Sequence, residues 1–153
     1  FMSLTQMRPE GGAAYGTLEW VAYASNAFNA MVPFYADVDE TPEYLANTTG
    51  EVSTGNFYWT SRMIAAMADA SYGKSLFHVE HYQENVLAKS HALINQYDAL
   101  LADEKDPEKQ MELKRKANRK VAEMVQKEAS ATLKKVLYEL SNQMKNSYAR
   151  SDV

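Results

Sequence analysis

His78, Glu80, His81 and Glu84 fall close together in a stretch with helical periodicity. Residues three apart share a helix face, so the two imidazoles could meet one metal ion, with Glu84 a turn further along. The spacing is neither His-Glu-x-x-His nor the Glu-x-x-His pair of di-iron bundles. A polar, solvated face with His81 partly packed is the plainer account, and no metal or other cofactor is expected. Gly73-Lys74-Ser75 has the tail of a phosphate-binding loop. Position 68, where that motif begins with glycine, is Ala68, and a helix rather than a strand is predicted before it. Punctuation between two helices is expected there instead. His91 stands alone at the border of a helical seam, satisfied by a neighbour.

Nucleophile chemistry finds less support. The chain has no cysteine, which excludes disulfides, thiolate metal sites and a cysteine nucleophile within these residues. No Gly-x-Ser-x-Gly elbow occurs, and Ser53, Ser61 and Ser71 have no His–Asp pattern nearby. Glu19, Asp37, Asp39, Glu40 and Glu43 are numerous enough for a carboxylate pair, yet nothing makes two of them converge, so solvated loop acids are expected. Arg8 and Arg62 lie beside apolar segments. Either could anchor a carboxylate, although a surface ion pair is the plainer role. Residue chemistry alone assigns no catalytic residue.

The elements that would position these groups are legible from pattern. Residues 18–35 are the one clearly strand-like, aromatic-rich passage, with Leu18, Trp20 and Tyr23 near one end and Met31, Val32, Phe34 and Tyr35 near the other. Ser25, Asn26 and Asn29 supply turn chemistry between them. Residues 2–8 alternate loosely and predict a first strand, closed by Pro9 and the pair Gly11-Gly12. Pro33 has no backbone donor, so its strand must be an edge or turn that position away from a neighbour. Residues 36–55 read as a connection with one helical turn at 42–46, where Thr41 would cap and Pro42 would open the turn. Asn47-Thr48-Thr49 fits a glycosylation sequon, with an ordinary loop the simpler reading.

Phe57, Trp59, Met63, Ile64, Met67 and Ala70 predict a short buried helix over 56–71, bracketed by Gly55 and Gly73. From Ser75 the pattern turns long-helical. Val79, Val86, Leu93 and Leu100 recur every seven residues, with Tyr82, Ser90 and Tyr97 between them, the mark of a seam against another helix. Asp106 and Pro107 predict a new helix start. Ala117, Val121, Val125, Leu133, Val136, Leu140 and Met144 line that second helix. The short connection makes the pair an antiparallel hairpin. At ~1.5 Å per residue, spans 75–103 and 107–149 measure roughly 43 and 63 Å, so the second helix should overrun its partner near 137–148 and cover the 56–71 helix, the sheet or another chain. The fold class is α+β and predominantly helical: a small antiparallel strand set, a short helix, then the long hairpin. Residues 1–55 form the strand segment and connecting loop, and 56–153 the helical cover, together one unit.

Composition narrows the partners. At 153 residues, 46% hydrophobic and 24% charged, the chain can form one ordinary domain. A formal charge of −4, without a basic patch interleaved with aromatics, argues against nucleic acid. No run approaches the ~18 apolar residues of a membrane span. No basic and apolar leader opens the sequence, which makes cytoplasm the default location. The chain begins at Phe1, inside an apolar segment, so a fragment of a longer protein is expected.

Val32-Pro-Phe-Tyr35, then Glu40-Thr-Pro-Glu-Tyr44, then Gly55-Asn-Phe-Tyr-Trp59 with Arg62, resemble the C-terminal portion of the bacterial dipeptidase A-type cysteine dipeptidases, of the N-terminal-nucleophile hydrolase class. The Trp20 segment upstream and the helical residues 71–97 fit the same family. The resemblance implies an αββα sandwich whose amino-terminal cysteine attacks while its own α-amine serves as base. This chain has neither a cysteine nor the family's first residue, so no catalytic residue carries over. Its implied role is to complete the sheet and buttress it, with Trp20, Tyr35 and Tyr58 as candidate walls of the substrate pocket. The implied partners are the rest of the parent polypeptide and short peptides. An incomplete sheet also predicts a homo-oligomer. The alternative is a helical assembly or interaction module with no catalytic contribution.

Overall fold

A computed structural model describes residues 1–145. Strands β1 (Met2–Met7), β2 (Thr17–Ala22) and β3 (Val32–Tyr35) form an antiparallel sheet in the order β1-β2-β3. Leu4 lies opposite Trp20, and Trp20 opposite Pro33. The predicted strands are therefore present. Between β1 and β2 the chain makes a 3-10 turn at Pro9–Gly11 and the single helical turn α1 (Gly12–Tyr15), and the Arg8 N–H donates to the Gly16 carbonyl at 2.6 Å. Gly16 is required here, because a Cβ would press into the Gly12 carbonyl.

Pro33 obeys the edge rule. The Ala36 N–H donates to Thr17 at 3.2 Å, which by antiparallel alternation aims positions 33 and 35 away from β2. In the turn between β2 and β3, both Phe28 and Asn29 donate to Ser25. The left-handed residue is Ala24, at φ 68°, and not one of the neighbouring Asn or Ser residues expected to take unusual dihedrals. Gln83 holds this loop from outside through the Ala27 and Asn29 carbonyls.

Helix α2 (Glu43–Ala46) starts one residue later than predicted. Pro42 is extended at ψ 137° and occupies the cap position itself, so Thr41 caps nothing. Helix α3 (Phe57–Ala70) is capped by Asn56, whose side chain accepts from Trp59 N–H at 2.9 Å. It buries Phe57, Ile64 and Ala68, while Met63 and Met67 are half-buried and Ala70 is exposed. Ser71 alone separates it from α4 (Tyr72–Asp103). Its hydroxyl donates to Met67 O and pairs with Ser75 at 2.5 Å. Gly73-Lys74-Ser75 thus sits in the first turn of a helix that follows another helix, which corrects the expected break at Gly73.

Helix α5 (Pro107–Ser141) opens as predicted, with the Asp106 carboxylate accepting from Glu108 N–H at 3.0 Å, and runs antiparallel to α4. The large overrun does not occur. The helices have 32 and 35 residues, which makes them about 48 and 52 Å long. Helix α4 begins three residues early, and α5 ends at Ser141, before Asn142, where short polar side chains compete for the backbone. Leu137 and Tyr138 are exposed rather than covering α3, and Met144 lies exposed past the helix end. Residues 146–148 of the expected overrun lie outside the described residues.

The α4 seam also departs from a strict seven-residue repeat. Val79 and Val86 are fully buried, but Leu93 is half-buried and Leu100 is 46% exposed, while Ile94 and Leu101 take their places. An unsupercoiled helix drifts about 20° per heptad, so after two heptads the inward position moves forward by one. On α5, Ala117, Val121, Val125 and Val136 are fully buried, with Leu133 and Leu140 half-buried.

Two clusters hold the layers together. Leu18 and Tyr35 of the sheet pack with Ile94, Tyr97, Leu101 and Ala117 near the hairpin turn. Val32 and Phe34 join Phe57, Ile64, Val79, Val86, Val121 and Val125 in the larger one. Each fully buried Val or Ile contributes about 1.5–3 kcal/mol relative to exposure. β1 is exposed from Ser3 onward.

Candidate functional site

The connection after β3 is where the acidic residues go. Asp37 reaches Lys114 at 2.6 Å, Asp39 pairs with Arg115 through two hydrogen bonds of 2.6 and 2.7 Å, and Glu40 meets Arg119 at 3.0 Å. Lys114 is itself buried and also donates to Ala13 O at 3.3 Å. The hydrogen bonds from Arg115 hold the Asp39 carboxyl below its ordinary value. Lys114 and Arg115, with Arg119 one helical turn further on, thus string the loop along α5. The three acids are solvated as expected, with side chains 44–61% exposed, and each also finds an ion-pair partner some 75–80 residues away that leaves no local signal.

Arg8 is likewise committed. Its guanidinium donates to both Asp98 oxygens, at 2.5 and 3.1 Å, and to the Tyr15 carbonyl, and lies 5.5 Å from the Tyr15 ring. The Tyr35 hydroxyl donates to Asp98 at 2.8 Å, and burial, then that bond, push its phenol well above the ordinary range. Asp98 and Asn118 are the residues that sequence reasoning missed. Asn118 accepts from Tyr35 N–H at 2.8 Å and donates to Tyr35 O at 3.0 Å, occupying the outward side of β3 as a further strand would.

Arg62 is placed differently. It stands on the exposed side of α3 over the rings of Tyr58 and Trp59, at 5.6 and 5.5 Å, and donates to the Tyr58 hydroxyl at 2.9 Å. Among the described residues no carboxylate pairs with it. It borders a cleft of about 750 Å³ with Phe1, Phe28, Tyr58, Ala65 and Asp69. Tyr23 stands edge-on to Phe57 and Tyr58, at 5.4 and 5.7 Å, and burial raises its phenol. A second, smaller cleft of about 310 Å³ lies on the sheet, lined by Glu19, Val21, Tyr23, Phe34 and Leu45 among others.

No one cleft holds all three aromatic candidates. Trp20 packs in the cluster of Leu18 and Tyr35, donates to Gln6 at 2.8 Å, and lies 5.6 Å from the His91 ring, which is the neighbour His91 finds. Tyr35 is 1% exposed with its hydroxyl engaged, and Tyr58 lines the large cleft. The histidines separate too. His78 faces Glu139 at 3.2 Å, while His81 is exposed and stacks on Phe77 at 5.9 Å. Among the described residues no three ligating side chains converge as a metal site would require. The cleft offers an oriented cation, an acid and apolar walls, which is the equipment of binding.

Residues 1–85 match the model of peptidase family C69. The "Probable dipeptidase A" of Streptococcus pyogenes serotype M18 (strain MGAS8232) is 40% identical over 152 residues, 98% of this chain and 31% of that protein. The "Dipeptidase" of Bifidobacterium longum (strain NCC 2705) is 32% identical over 189 residues, 99% of this chain and 35% of that protein. "Dipeptidase A" of Lactobacillus helveticus is 27% identical over 95 residues, 62% of this chain and 20% of that protein. The chain spans about a third of the length of the first two relatives.

Proposed function

Since the chain belongs to peptidase family C69, we propose that it is the carboxy-terminal part of a cytoplasmic dipeptidase that cleaves short peptides with an amino-terminal cysteine. That cysteine lies upstream of these residues, and the chain alone is inactive. The cysteine's own α-amine, which titrates near neutral pH, takes the thiol proton, the thiolate adds to the peptide carbonyl, the C–N bond breaks as the amine leaves with that proton, and water then hydrolyses the thioester. These residues add strands to the catalytic sheet, fasten them to helices, and contribute to the wall of the peptide pocket.

The observation that carries the reading is where the family match falls. It holds all three strands, α2 and α3, but only the start of α4 and none of α5. The sheet lies wholly inside that match, and the relatives of 40% and 32% identity extend over the hairpin as well, which favours sheet and hairpin together as an enzyme portion over a separate helical assembly module. The open β1, with Leu4 and Met7 exposed, suits a sheet that continues into other residues, and the same edge disposes the isolated chain to pair with a second copy.

The test begins with the reading frame upstream of Phe1. A cysteine that becomes the first residue of the mature product is expected, several hundred residues earlier. The long product should hydrolyse dipeptides, the present chain should not, and replacing that cysteine by serine should abolish turnover. A frame with no such cysteine, or dipeptide hydrolysis by this chain alone, overturns the reading. For self-association, sedimentation at tens of micromolar, roughly where open edges associate, should show more than a monomer.

A further inference from the structure

Arg62 and Asp69 lie seven residues apart on α3, two turns along one face and about 10 Å between backbones. Ala65 and Ala66 fill the interval, so no bulky side chain stands between the two charges. They do not neutralise each other. Helical side chains lean toward the amino terminus, and Arg62 is held in that direction by the Tyr58 hydroxyl and the Tyr58 and Trp59 rings, away from Asp69. Among the described residues neither charge has an ion-pair partner. Phe1 and Phe28 add apolar wall, and the rim includes Ala24, whose left-handed backbone no L residue prefers. Such strain is retained where a site needs a particular shape.

An extended dipeptide spans about 7 Å from ammonium to carboxylate, at 3.3–3.6 Å per residue. With a hydrogen bond of about 3 Å to a charged group at each end the reach is roughly 13 Å, which exceeds the rise between the two residues and suits an Arg62 drawn toward Tyr58. We propose that this cleft binds a free dipeptide as its zwitterion, with the terminal carboxylate on Arg62, the terminal ammonium toward Asp69, and the side chains over Ala65 and Phe28. The site rests on the dipeptidase reading for its ligand and on the cleft alone for its geometry. Arg62 is a positioning residue that measures the distance between a free carboxyl end and a free amino end.

The experiment titrates alanyl-leucine, alanyl-leucine amide and N-acetyl-alanyl-leucine into this chain by NMR. It uses the wild type, Arg62→Gln and Asp69→Asn, with circular dichroism to show that these surface variants stay folded. Arg62→Gln should weaken the dipeptide on the order of tenfold or more, the worth of a charge-assisted hydrogen bond, and leave the amide unchanged. Asp69→Asn should weaken the dipeptide but not the acetylated form. No saturable dipeptide binding, or equal binding by wild type and Arg62→Gln, overturns the proposal. In the long product, Arg62→Gln should raise KM with little change in kcat. A long product that turns over dipeptides with KM indifferent to Arg62 sinks the site and leaves the peptidase. A long product without peptidase activity, beside Arg62-dependent binding here, does the reverse.

Discussion

The side-chain amide of Asn118 lies against the backbone of Tyr35, taking its N–H at 2.8 Å and giving a hydrogen bond to its carbonyl at 3.0 Å. Both groups are buried, so Asn118→Ala orphans a donor and an acceptor at once. At about 1–3 kcal/mol for each, the variant should lose roughly 2–6 kcal/mol, read as a lower urea midpoint at unchanged slope.

Arg8 and Asp98 are 12% and 18% exposed, and each would be left a stranded charge without the other. Asp98→Ala should cost about 3 kcal/mol, the lower end for a buried pair because some water remains. Arg8→Met with Asp98→Leu should recover most of that loss, since a matched apolar pair leaves no charge behind. Thermal unfolding of the single and double variants measures the difference. A double variant as unstable as the sum of its parts would contradict it.

The shifted seam of α4 predicts an asymmetry between near neighbours. Ile94→Ala should destabilise by about 2–5 kcal/mol, whereas Leu100→Ala, at a 46% exposed position, should cost under about 1. Chemical denaturation of the two variants decides whether the inward face has moved off the seven-residue register.

Tyr23, Tyr35, Tyr44 and Tyr82 have phenols raised above the ordinary value of 10.0, burial being the first cause in each. Their stabilising contribution is complete below pH 10, where the unfolded phenol ionises, and is lost as the pH climbs toward their folded values. Phenolate absorbance should therefore rise in two steps. The later step, from these four, should coincide with loss of helical circular dichroism. A single step with the helices intact would mean these phenols are not sequestered.

What the sequence disclosed follows the reach of each interaction. Asp106 and Pro107 mark the start of α5 because capping acts within three residues, and the aromatic-rich passage 18–35 marks strands for the same reason. The grip of Asn118 on Tyr35 and of Asp98 on Arg8 spans 83 and 90 residues, and nothing in the local pattern of either partner announces it. The seam was legible as a helical contact, but its later positions were not, because a repeat of seven and a turn of 3.6 residues part company after two heptads. At the cleft, Arg62 was visible as a cation beside apolar residues. That it shares a cleft with Asp69, across two alanines, emerged only with the fold.

The fasteners of the sheet also arrive late. Arg8 needs Asp98, Tyr35 needs Asn118, and Asp37, Asp39 and Glu40 need Lys114, Arg115 and Arg119. On a ribosome adding about 5–20 residues per second, β3 emerges roughly 4–17 s before Arg119 follows it. Through that interval the nascent ribbon has neither its helical backing nor its latches, and chaperones have their longest opportunity to hold it.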